Sequence, residues 1–163
     1  MILGLSTHAF TLVHIGLSIV GVLAGLNVLL RMVRRRPLGA SNSIFLLAAI
    51  LTCVSGFLFP RTALLPSHIV SGIALVALAA AAAALWLGNL YGTWRPIYVV
   101  GAASALLLNT LVGIAHAFAR IPVLHALAPT GKEPIVLALE GVALLLFVVL
   151  GYFAVKRFHP GGM

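Results

Sequence analysis

Glu140 interrupts the apolar run VLALEGVALLLF, residues 136–147, and a carboxylate in such a run is costly to ionise unless something shares its charge. The chain holds one other acid, Glu133, and no aspartate. Three of its six histidines, His14, His68 and His116, lie in or at the mouth of other apolar runs. An imidazole titrates near neutral pH and can donate, accept or ligate a metal. A glutamate beside it can share a proton or hold a cation, and the two then titrate as one unit.

Helical spacing groups these residues. Thr7, Thr11, His14, Ser18, Gly21 and Gly25 follow steps of four and three, as do Ala102, Ala105, Asn109, Gly113, His116 and Arg120. Each set falls on one helical face. Ala48, Thr52 and Ser55 make a third, shorter stripe. In lipid, a stripe of small and polar residues marks the side that packs on other helices. The expected site therefore comprises Glu140, His14, His116, His68, Asn109, Arg120, Ser18, Thr52 and Ser55. Any metal it held would be ligated by His14, His68, His116 and Glu140. The plainer alternative is that Glu140 and the histidines are packing polars that pin one helix to another. His8, His125 and His159 read as interfacial or solvated, and Gly21-x-x-x-Gly25 reads as a packing motif.

Composition states what positions these stripes. The chain of 163 residues is 63% hydrophobic and only 7% charged, too little charge to cover a soluble domain, so the class is integral membrane protein. The net charge of +8 does not point to nucleic acid, because the basic residues sit in short clusters between apolar runs and form no extended face. Cys53 is the only cysteine, which excludes an intrachain disulfide and thiol-based metal motifs. The start MILGLSTHAF lacks the basic residues that open a cleavable signal, so the first segment is expected to be a retained span.

A hydrocarbon core of roughly 30 Å takes about 20 helical residues to cross. Five stretches meet or nearly meet this: about 8–30, 43–60, 67–90, 96–118 and 134–155, the second being the shortest. They are separated by RRRPLGASNS, FPRTALLP, YGTWRP and ARIPVLHALAPTGKEP. In the last break IPVLHAL is too short to span and should lie at the interface. Thr130 and Glu133 there have capping-box spacing, with Pro134 suited to a first helical turn. The expected fold is an all-α bundle of five transmembrane helices with short loops and no soluble domain. With the N-terminus outside and the C-terminus inside, the inner side carries Arg31, Arg34, Arg35, Arg36, Arg95, Lys156 and Arg157. The outer side then carries only Arg61, Arg120 and Lys132, which agrees with the positive-inside rule. Trp94, Tyr91 and Tyr98 fall near an inner connection, where aromatic rings favour the headgroup zone. His14, His68, His116, Asn109, Thr52, Ser55 and Glu140 then share the outer-leaflet side, Glu140 lying roughly 9 Å along its helix. Asn27 alone is deep toward the inner side.

Three functional classes fit this pattern. One is proton or cation handling, with Glu140 and the histidines as relay or ion site. Another is b-type haem electron transfer, with two of His14, His68 and His116 on one iron. The third is an accessory subunit that meets its own copies or another membrane-complex partner. No Ser-His-Asp set or metalloprotease motif is present, which points away from a hydrolase.

The runs LTCVSGFLFP, LPSHIVSGIAL, GTWRPIYVV and LAPTGKEP, spread over the last two thirds of the chain, resemble a group of small uncharacterised multi-spanning inner-membrane proteins of bacteria. That resemblance implies a bacterial inner-membrane location and transfers no activity or site residues. The SGFLF…H cadence is also similar to cytochrome-b-like bundles, an analogy of fold only.

Overall fold

The computed structural model describes residues 2–59 and 66–159, and its elements are helices: α1 Thr7–Val33, α2 Ala40–Phe57, α3 Pro66–Trp86, α4 Trp94–Arg120, α5 Pro122–Leu127 and α6 Pro134–Arg157. Five of them, all but α5, are long and apolar enough to cross a membrane. Arg61 and the last residue of the second expected span lie outside the described residues.

Local chemistry sets most boundaries. Ser6 caps α1, its hydroxyl oxygen accepting from the Ala9 N–H at 3.1 Å. The helix closes in a Schellman arrangement: the Arg36 N–H donates to the Arg31 carbonyl at 2.8 Å and the Arg35 N–H to the Met32 carbonyl at 3.1 Å. The left-handed position usually held by glycine is filled by Arg35, at φ +56°. Gly39, at φ +67°, starts α2 three residues earlier than expected. Conversely α3 stops at Trp86 and not at residue 90. The chain turns there at Gly88, whose missing side chain makes room for the Trp94 ring, and Asn89 and Leu90 take positive φ.

The expected capping box is only half formed. Glu133 Oε1 accepts from the Thr130 N–H and hydroxyl, both at 2.9 Å, but Glu133 is itself the N-cap of α6, with Pro134 in the first turn. The contact closes a turn ahead of the helix, because proline sets the helical start downstream of Thr130.

Antiparallel neighbours α1–α2 and α3–α4 form the two broadest contacts; α2 meets α3 and α1 meets α4, which closes a ring of four helices. Against the outside of that ring, α6 lies on α4 and α1, and α5 rests on α4. The main core is continuous through Val28, Leu29, Phe45, Leu78, Tyr98 and Leu106. A Cβ added at Gly25 would stand 2.7 Å from the Phe45 ring and 2.8 Å from Leu106, and one at Gly101 would stand 2.6 Å from the Ala77 carbonyl oxygen. Glycine here is what lets the helices approach. The outward faces are rows of exposed aliphatics, such as Leu12, Ile19 and Leu23 on α1 and Val142, Leu145 and Val149 on α6. Surfaces of that kind suit lipid and not water.

The bundle has two ends. The histidine end holds the starts of α1, α3 and α6 and the ends of α2 and α4. The tyrosine end holds Tyr98 and the arginine-rich turn. Tyr98 corrects its sequence assignment: it is wholly buried, donating its hydroxyl to Asn42 Oδ1, whereas Tyr91 and Trp94 are exposed. A phenol can enter the core once a partner satisfies its hydroxyl, and the buried Asn42 of α2 does so. Asn27 is exposed.

Candidate functional site

On α1, the stripe read from the sequence becomes a seam. Its lower members, Gly21 and Gly25, are buried, and His14 and Ser18 above them are half-buried. The Nδ1 of His14 lies 2.8 Å from Ser55 Oγ on α2. One turn along, the Ser18 hydroxyl donates to Asn109 Oδ1 on α4 at 3.0 Å. The Asn109 amide in turn reaches the Ser18 carbonyl at 3.4 Å. So α1 is bonded on one flank to α2 and on the other to α4 through consecutive polar residues. Interhelical bonds of this type contribute about 0.6 kcal/mol each on average. They also fix which atoms of the imidazole are engaged.

The walls around His14 come from α2 and the chain just beyond it. Phe59 presents its ring edge-on at 5.4 Å between centroids and also packs on Phe10 at 5.1 Å. Gly56 leaves its side open between His14 Cε1 and Ser71 Oγ of α3. His116 stands near the end of α4, at the same end of the bundle as His14. Its helical stripe changes character along α4: Ala102 and Ala105 are buried, Asn109 is half-buried, and Gly113, His116 and Arg120 are exposed. The α1–α4 seam is therefore closed in the middle of the bundle and open at the histidine end.

Thr52 and Ser55 are both buried, but they do different things. The Thr52 hydroxyl donates to the Ala48 carbonyl of its own helix at 2.8 Å and does not enter the seam. Its carbonyl instead accepts from the Ser55 hydroxyl at 3.0 Å. His68 packs against Phe57, ring centroids 5.5 Å apart, on the α2–α3 side.

Glu140 is half-buried and follows the α6 stripe Val136, Ala143, Phe147 and Ala154, all buried. That stripe is the face turned to α4: Val136 packs with Phe118 and Ile114, and Gly151 faces Ala103. This antiparallel register sets Glu140 at the level of Ile114. His14 stands one turn above Ser18, which pairs with Asn109, and so lies near the level of Gly113. The carboxylate and the imidazole thus share a depth, although the bond His14 makes from Nδ1 goes to Ser55 and not to Glu140. Among the described residues, no three His, Cys, Asp or Glu side chains gather as a group able to hold a metal ion.

Two interactions had no sequence signal that singled them out. One is the buried Tyr98–Asn42 bond. In the other, Arg95 donates from Nη1 to the Phe158 carbonyl at 2.7 Å, capping the end of α6. The Asn42 position, six residues past Arg36, reads as loop until α2 is seen to start at Ala40. At the opposite end, the Thr130 backbone N–H, helped by its hydroxyl, holds the Glu133 carboxyl below the usual carboxylate range.

Comparison with family models, with curated proteins and with solved structures finds no match for this chain.

Proposed function

We propose that this chain is a small multi-pass protein of the bacterial inner membrane, N-terminus outside and C-terminus inside, that handles protons at its histidine end. It does so alone or as a subunit of a larger membrane complex. The orientation rests on the arginine-rich side facing inward. The bacterial location rests on the resemblance of the runs LTCVSGFLFP, LPSHIVSGIAL, GTWRPIYVV and LAPTGKEP to small multi-spanning proteins of that membrane.

The observation that carries the reading is the His14–Ser55 bond at 2.8 Å, with the exposed His116 at the same end of the bundle. A titratable ring is held half-buried by a buried hydroxyl, and a second imidazole is exposed at the same end of the bundle. Such a pair can take up a proton from water and hold it below the surface. Glu140, at the same depth on the neighbouring helix, supplies a third group able to change charge. Proton handling is favoured over metal binding because the donors do not converge as a ligand set.

Purified protein in proteoliposomes loaded with a pH-sensitive dye tests this by an acid pulse. Proton uptake is expected from wild type, abolished in His14→Gln and reduced in Glu140→Gln. Equal uptake by wild type and His14→Gln overturns the reading. A Soret band in protein produced with ample haem would replace it with electron transfer.

A further inference from the structure

We infer that Ser55 fixes His14 as its Nδ1–H tautomer, so that Nε2 is the nitrogen at which the site gains and loses its proton. The inference deepens the proton-handling reading and rests on it for its functional meaning, though not for its geometry.

A serine hydroxyl has a single hydrogen. Ser55 Oγ stands 3.0 Å from the Thr52 carbonyl oxygen and 2.8 Å from His14 Nδ1. The carbonyl can only accept, so the serine hydrogen points at Thr52 and the hydroxyl oxygen is left to accept. Nδ1 must then donate. The opposite arrangement would aim the hydroxyl at Nδ1 and set two oxygen lone pairs against each other 3.0 Å apart. Ser55 is only 9% exposed, so water offers little relief from that repulsion.

The arrangement has a consequence for proton transfer. An imidazole protonated at Nδ1 alone and the imidazolium both donate from Nδ1. Ser55 therefore makes the same bond before and after His14 is charged, and the α1–α2 contact need not rearrange when Nε2 is protonated. Ser55 is a positioning residue: it acts through the ring and takes no proton itself.

Nitrogen-15 NMR of the full chain, histidine-labelled and in lipid bilayers at a pH where His14 is neutral, reads the tautomer directly, with His14→Gln identifying the signal. Wild type is expected to show an Nδ1–H to Nε2–H ratio of about ten, the bias that one good hydrogen bond supplies. Ser55→Ala should lose that bias, and Ser55→Thr, which keeps the hydroxyl, should restore it. A proton found on Nε2 in wild type, or a bias unchanged in Ser55→Ala, overturns the assignment. The flux assay separates the two claims. A fixed Nδ1–H tautomer without His14-dependent flux sinks proton handling and leaves Ser55's role standing, whereas His14-dependent flux with an Nε2–H ring does the reverse.

Discussion

The two ends of the bundle solve the same problem, polar side chains between apolar helices, in different ways. At the tyrosine end, Tyr98 and Asn42 are buried and satisfy each other, and glycines at 25 and 101 bring helices to contact. At the histidine end, His14, Ser18 and Asn109 are only half-buried and α4 turns its polar stripe outward. Glycines there, at 16, 113 and 141, face open space. One set of hydrogen bonds closes a core and the other leaves a titratable ring within reach of solvent. Polarity in a membrane helix is thus not itself a sign of function; what distinguishes the ends is whether the polar group is sealed by packing.

Gly-to-Ala substitutions test that contrast most strongly. Gly101→Ala, whose Cβ would meet the Ala77 backbone, is expected to destabilise by roughly 3 kcal/mol, the upper range for overpacking. Gly113→Ala and Gly141→Ala, which meet nothing within 4 Å, should stay within about 0.5 kcal/mol of wild type. Reversible unfolding in mixed micelles measures both, and equal effects would erase the distinction between the ends. Next in size is Tyr98→Phe, which strands the buried Asn42 oxygen and should cost roughly 2 kcal/mol. Ser18→Ala, at a half-buried site, should cost only about 0.6 kcal/mol, and the same assay ranks the two.

Arg35→Gly sharpens the comparison from the other side. It relieves a non-glycine residue at φ +56°, and a gain of about 1 kcal/mol is expected. Thermal melts that show a loss would mean that the Arg35 side chain contributes more than its backbone strain costs.

The smallest effect concerns the turn before α6. Because the folded Glu133 carboxyl lies below its ordinary range, its contribution is present above that range and is lost as pH falls through the depressed value. Amide exchange at Thr130 should therefore accelerate on acidification, and Glu133→Gln should flatten that pH dependence.

Five apolar segments with caps or prolines between them were legible directly, and the helices that formed differ from them by a few residues at the ends. The misses fall where a single residue has two local uses. Thr130–Glu133 has the spacing of a cap, yet Pro134 imposed the start; Tyr98 has the position of a headgroup aromatic, yet Asn42 drew it into the core. In the candidate site, the α1 stripe identified His14 and Ser18 as inward residues, and the α2 stripe identified Ser55. That His14 bonds Ser55 while Ser18 bonds Asn109 was not legible, since periodicity sets a face and not the partner across from it.

By itself the sequence determined the helical class, the apolar faces and the stripes, because these depend on residue type and on a fixed helical period. Only the tertiary structure decided which stripes meet, where the bundle is sealed and which nitrogen of His14 is held. Those outcomes depend on axial register between helices distant in sequence, which glycine contacts and a few directional hydrogen bonds set together.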